Sequence, residues 1–239
     1  MFFGFFWGDW TILILIPAMI FAFWAQINVK STFEKYSKVM NRRGMTGAEA
    51  ARRILDANGL QHIAIERVPG HLTDHYDPTA NVIRLSDAVY GNTSAAAIGV
   101  AAHEAGHACQ HAVGYVPIKI RAAIIPVTRI GSMLAMPLFL LGLLFAGAGY
   151  IQGSTGTMLM LAGIVLFSFS TLFQLVTLPT EFNASARALQ VLSDGHYLEG
   201  DELDAASKTL RAAALTYVAA LASSLASLLR LILIFNRRR

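Results

Sequence analysis

Four segments of this chain are apolar for long enough to cross about 30 Å of hydrocarbon as helices, and that leaves few folds open to it. The first covers residues 3–27, with Trp7, Trp10 and Trp24 as interface anchors and Pro17 as a kink point. The second covers residues 133–151 and the third residues 157–178. Only Gln152-Gly153-Ser154-Thr155-Gly156 separates them, the length of a tight helical hairpin whose close packing Gly142, Gly147, Gly149 and Gly163 would permit. The fourth, residues 212–235, is rich in Ala and Ser and carries Arg230 near its end, within snorkelling reach of the interface. Composition agrees: the 239 residues are 55% hydrophobic and 14% charged, where an ordinary soluble domain carries roughly 25% charge. That is too little polar surface for a soluble globule and too much apolar surface for disorder. The first segment has neither a basic leader nor a small-residue cleavage site, and reads as a retained anchor rather than a signal peptide. The single cysteine, Cys109, excludes an intramolecular disulfide framework and is expected to be a small buried residue.

Between the first and second spans the chain is more polar. Thr46-Gly47-Ala48-Glu49 is a capping-box pattern opening a helix that ends near Gly59. Residues 62–68 alternate like a half-buried strand, and residues 73–76, 77–81 and 82–86 read as strand, turn, strand, with Asp77-Pro78 as turn chemistry. From Ser94 a strongly apolar helix runs to about Val113, with Gly114 and Pro117 as stop signals. Residues 30–129 hold 12 of the 19 Lys and Arg residues, and none precedes the first span. The positive-inside rule then puts the amino terminus outside and this region in the cytoplasm, although four crossings would leave Arg237-Arg238-Arg239 outside. The basic residues lie beside apolar runs, which suits anionic lipid headgroups and not nucleic acid.

Within that apolar helix stands His103-Glu104-Ala105-Gly106-His107. One helical turn puts His103 and His107 on the same face, where both imidazoles can bind one Zn²⁺, and Glu104 beside them can take a proton from water on the metal. With 7 His in the chain, chance placement gives about 0.006 matches to such a pattern, so accident is a poor account of it. A catalytic zinc site needs a third protein ligand. His111 is one turn further on, about 12 Å along the axis from His103, too far for all three to reach one ion. Glu181 is the better candidate. Pro179 is expected to stop the third span and Thr180 to cap a new helix, with Glu181 in its first turn, returned by the membrane hairpin to the side of the two histidines. His71, His75 and Tyr76 are candidates for donors to an oxyanion, and residues 82–86 for an edge strand that pairs with an extended substrate. Arg187 is placed to brace a carboxylate.

These residues carry a family resemblance over nearly the whole chain. Leu72-Thr73-Asp74-His75-Tyr76-Asp77-Pro78, Ile83-Arg84-Leu85-Ser86, Ala102-His103-Glu104-Ala105-Gly106-His107-Ala108-Cys109-Gln110 and Pro179-Thr180-Glu181-Phe182-Asn183-Ala184-Ser185 resemble the signatures of the YugP-type neutral zinc metallopeptidases of membranes. The resemblance implies a zinc endopeptidase with His103, His107 and Glu181 as ligands and Glu104 as catalytic base. More distantly the chain is similar to the membrane-bound heat-shock-type zinc peptidases, whose third ligand stands in an E-x-x-A-D pattern. Here Ser185 replaces that Asp, so the Asp's supporting role has no evident heir in the sequence.

The expectation is a mainly α-helical integral membrane protein of about four membrane helices with a small α+β zincin-like catalytic region. Its parts are an anchor helix (1–28), the zincin-like region (29–123), a transmembrane hairpin (124–178), third-ligand helices (179–211) and a carboxy-terminal helix with a basic tail (212–239). It would hydrolyse protein or peptide substrates, membrane-associated ones, near the bilayer surface of the cell (inner) membrane, with Zn²⁺ as cofactor and its site facing the cytoplasm. Nothing in the sequence sets an oligomeric state. Two rivals stand: a metal-binding membrane protein without hydrolysis (a sensor, scaffold or transporter), and a protease with its site inside the bilayer. Intact Glu104 weighs against the first, and the shortness of the apolar run at residues 95–102 against the second.

Overall fold

A computed structural model of the chain describes residues 9–148 and 153–238. After a short 3₁₀ turn at Trp10–Ile14, the elements are helices α1 (Leu15–Tyr36) and α2 (Gly47–Ala57), strands β1 (Ala64–Val68), β2 (His75–Asp77) and β3 (Val82–Ser86), and helices α3 (Ala95–Ala112), α4 (Val116–Ala148), α5 (Gly153–Asp194) and α6 (Asp201–Arg238). The protein is thus mainly helical, and among the described residues there is one small sheet and four helices are long and apolar enough to cross a membrane. Trp7, Gly149, Ile151 (the expected end of the second span) and Gln152 (the expected start of the connection) lie outside the described residues.

The chain divides into two compact units. The first comprises Met1–Trp24, Ile120–Thr177 and Tyr217–Arg239. Phe139, Met160, Ile164, Leu231 and Ile234 form its buried cluster. Gly142 and Gly163 do permit close packing: a Cβ on Gly142 would lie 2.5 Å from the Met160 nitrogen, and one on Gly163 2.7 Å from the Ala135 oxygen. Arg230 is not a free snorkelling side chain. Its Nη2 donates to Asp9 Oδ2 at 3.0 Å, Thr11 donates to the other oxygen of Asp9, and the Arg237 guanidinium lies 5.0 Å from the Trp10 ring centre. Both side chains are largely buried, and the pairing offsets the solvation they lose there.

The second unit comprises Ala25–Lys119 and Leu178–Thr216. Ile54, Leu55, Ile83, Leu85, Ile98 and Leu192 are among the residues of its core. Thr46 and Glu49 close the expected capping box at the start of α2. The sheet has the order β1-β3-β2, β1 pairing parallel and β2 antiparallel with β3. Residues 82–86 are therefore the central strand and not the expected edge. Four of the five residues of β3 are buried, as a strand with neighbours on both sides requires. β2 starts at His75, later than the alternation suggested, and ends on Asp77, whose Oδ1 accepts from the Thr79 and Ala80 amides in the turn to β3.

Gly114, with φ +65°, ends α3 as foreseen. Pro117, the other stop signal, lies in the first turn of α4, where its missing N–H leaves no bond unmade. Pro179 does not stop a helix: α5 continues through it to Asp194, and Glu181 lies inside one long helix and not in the first turn of a new one. A proline removes one backbone donor. The burial of Ala184, Ala188 and Leu192 in the core of the second unit holds the next turns helical.

Candidate metal centre

α3 supplies the first side chains. Its periodicity buries the small residues Ala101, Ala102, Ala105 and Ala108 and turns His103 and His107 together to one side, with their ring centres 4.7 Å apart. α5 brings Glu181, 2% exposed, against them. Glu181 Oε2 lies 3.3 Å from His103 Nε2 and 3.4 Å from His107 Nε2. Around a tetrahedral ion with bonds of about 2.0–2.1 Å, neighbouring donors stand about 3.3 Å apart. Two imidazoles and a carboxylate are also a donor set that suits Zn²⁺ with a position left for water. Among the described residues this is the group of His, Cys, Asp and Glu side chains arranged to hold a metal ion.

The crossing of α3 and α5 depends on Gly106. A Cβ there would lie 2.8 Å from the Ala184 carbonyl oxygen, so no larger residue allows the two backbones to come this close. Around the centre a shell of hydrogen bonds fixes each ring. Ser185 Oγ is 3.1 Å from His103 Nδ1, so the hydroxyl stands where the sequence left a supporting role unassigned. Gln110 Oε1 is 3.0 Å from His107 Nδ1, and its Nε2 donates to the Thr180 carbonyl at 2.8 Å and to Asn183 Oδ1 at 3.0 Å. One fully buried amide thereby joins a histidine of α3 to the turn of α5 that carries Glu181. The sequence reading gave Gln110 and Asn183 no role. The available signal was Gln110 three residues after His107, on the same helical face.

Glu104, 8% exposed, accepts from the Tyr76 amide at 2.9 Å through Oε2. The edge of β2 away from β3 thus faces Glu104. Asp74 sets the entry into β2, since its two carboxylate oxygens engage the Ser86 amide at 2.7 Å and the Ser86 hydroxyl at 3.0 Å. Burial pushes the Asp74 carboxyl above the usual range against those two bonds, and the Glu104 charge adds to the rise. For His107, burial favours the neutral ring, but the Glu181 hydrogen bond and the charges of Glu104 and Glu181 outweigh it and leave the imidazole raised.

The other candidates are not in the metal group. His75 is exposed and places Nδ1 2.8 Å from the Thr73 carbonyl, and the Tyr76 hydroxyl is 3.4 Å from Asn81 Oδ1. His111 packs its ring 5.5 Å from that of Tyr76 and is not in the metal group. Among the described residues Arg187 pairs with no carboxylate; its Nε donates to the amide oxygen of Asn183 at 2.8 Å. Cys109 is buried as expected.

Comparison with known proteins gives this geometry a context. The family described as "putative neutral zinc metallopeptidase" matches residues 11–236. The chain belongs to this family. It is also 50% identical, over 228 residues, to the "putative membrane protease YugP" of Bacillus subtilis (strain 168), a match covering 95% of this chain and 97% of the relative. No solved structure matches it. For a neutral zinc metallopeptidase the cofactor is Zn²⁺, and the His103–His107–Glu181 group provides a place that could bind it.

Proposed function

We propose that the protein is a membrane-embedded zinc endopeptidase in which His103, His107 and Glu181 hold the metal and Glu104 is the general base. The observation that carries this reading is the convergence of those three ligand atoms within 4.8 Å, from helices far apart in sequence, with Glu104 next to His103 in the chain. Zinc held there supplies Lewis acidity, polarising a peptide carbonyl and bringing the pKa of water towards neutrality. Glu104 takes a proton from the attacking water as its oxygen bonds to the carbonyl carbon. It then delivers that proton to the amine as the C–N bond breaks. Ser185 and Gln110 keep the two imidazoles in the tautomer that leaves Nε2 free for the metal. His75 or Tyr76 supplies a donor to the oxyanion.

Glu181 follows the end of the third apolar segment by only about three residues, on boundaries set by apolar length. The substrates are therefore membrane proteins or their juxtamembrane segments, cleaved at the cytoplasmic face of the cell membrane, the side to which the Lys and Arg distribution assigns residues 30–129. Glu104→Gln tests the chemistry. Zinc content is expected to stay at one per chain while peptide cleavage is lost; cleavage at the wild-type rate would refute the assignment, as would loss of the metal with retention of activity. Equal cleavage of soluble unfolded proteins and membrane-tethered ones would refute the substrate class alone.

A further inference from the structure

Away from the candidate metal centre, the second unit contains a groove of about 260 Å³ between the last turns of α1 and the first turns of α6. Asn28, Thr32 and Lys35 follow one another at intervals of four and three residues and so share a face of α1. Lys208, Arg211 and Leu215 share a face of α6 in the same way, and all six line the groove. Tyr36 stands between the stripes, with Lys35 Nζ 5.2 Å and Lys208 Nζ 5.9 Å from its ring centre. Asp204 Oδ2, 2.5 Å from Lys208 Nζ, balances one of the three cations, which leaves an excess of two positive charges. With Lys208 paired to Asp204, Lys35 and Arg211 are the charges of the groove that an anion would join.

Both walls are the stretches where apolar sequence gives way to polar sequence. The first apolar segment ends at Ile27, one residue before Asn28, and the fourth begins at Ala212, one residue after Arg211. That is the level of lipid headgroups. Amide, hydroxyl and phenol donors accompany the cations, and Leu215 lies on the hydrocarbon side of Arg211. We propose that this groove binds the phosphate of an anionic phospholipid headgroup. Lys35 and Arg211 supply the charge, and Asn28, Thr32 and Tyr36 supply hydrogen bonds to phosphate and glycerol oxygens. The proposal does not rest on the peptidase reading, and its test needs no turnover.

The full-length protein in non-ionic detergent is titrated with phosphatidylglycerol, phosphatidylcholine and inorganic phosphate, and bound lipid is counted by native mass spectrometry. Phosphatidylglycerol is expected to be retained in preference to phosphatidylcholine, and equimolar inorganic phosphate is expected not to displace it. Lys35→Gln with Arg211→Gln is expected to weaken retention by about tenfold, since each charge near a headgroup carries appreciable attraction. Lys30→Gln with Lys38→Gln removes the same charge near the same helix end, from residues that do not line the groove, and is expected to leave retention near the wild-type level. Equal weakening by the two pairs would mean diffuse surface attraction. Displacement by inorganic phosphate would mean a site for a soluble anion. Either result, or equal retention of phosphatidylcholine, overturns the proposal.

Discussion

Gln110 is the residue on which the centre's two helices meet. Its amide oxygen faces His107 Nδ1 while its amide nitrogen holds Thr180 and Asn183, so truncation unlocks a ring and a helix turn together. Gln110→Ala is expected to weaken zinc binding by about 10–100-fold, the usual loss when a ligand's supporting partner is removed, measured by competition with a chromophoric chelator. Gln110→Glu restores an acceptor for His107 but not the donor to Thr180, and is expected to recover only part of the affinity. His107 adds a pH dependence. Its folded pKa is raised, so in metal-free protein its pairing with Glu181 contributes stability fully below the ordinary imidazole value of about 6.5, and that contribution is lost as pH rises through the folded value. Zinc needs the neutral ring, so stabilisation by zinc moves the opposite way and grows as pH rises. Thermal unfolding with and without zinc between about pH 5.5 and 8.5 is expected to show the two curves diverging towards high pH.

At the scale of elements, the site depends on how closely α3 and α5 approach at Gly106. Gly106→Ala puts a methyl group within 2.8 Å of the Ala184 carbonyl oxygen, and Ala184 is one turn from Glu181. The helices must part, at a cost of about 1–3 kcal/mol of overpacking. Chemical unfolding is expected to register that loss, and metal analysis a zinc content below one per chain. The helices of this site were largely legible in advance. Thr46 and Glu49 announced α2, and Ser94 and Gly114 bounded α3, because caps and periodicity are properties of neighbouring residues. The course of α5 and the order of the strands were not. Pro179 is a local stop signal overridden by burial of Ala184, Ala188 and Leu192. Whether residues 82–86 form an edge or a centre depends on what β1 and β2 do.

At the scale of the whole molecule, the described chain begins with Asp9 bound to Arg230, close to where it ends. Both lie in one unit, with side chains only 8% and 19% exposed. Removing Asp9 leaves Arg230 without its counter-ion, and Asp9→Ala is expected to cost about 3 kcal/mol; Arg230→Ala is expected to cost less, because Arg237 stays 3.6 Å from Asp9. The double variant is expected to cost clearly less than the sum of the two. A double-mutant cycle on unfolding in detergent measures this, and strict additivity would show that the pair contributes nothing. Arg237 joins the pair: Arg230 and Arg237 both lie within 4 Å of the Asp9 carboxylate.

The sequence by itself determined the membrane character, the four apolar helices, the paired histidines with Glu104 one residue on, and Glu181 as their distant partner. All but Glu181 follow from spacing along a helix or from uninterrupted apolar length, local patterns that survive whatever the rest of the chain does; Glu181 was reached from the hairpin's return of the chain and from the family resemblance. Only the tertiary structure decided that Ser185 and Gln110 support the imidazoles, that β2 presents its amide to Glu104, and that Asp9 meets Arg230. The members of these pairs lie from 28 to 221 positions apart, apart from the Gln110–His107 contact. No periodicity links residues so far apart, and only the packing of whole elements brings their polar atoms within hydrogen-bonding distance.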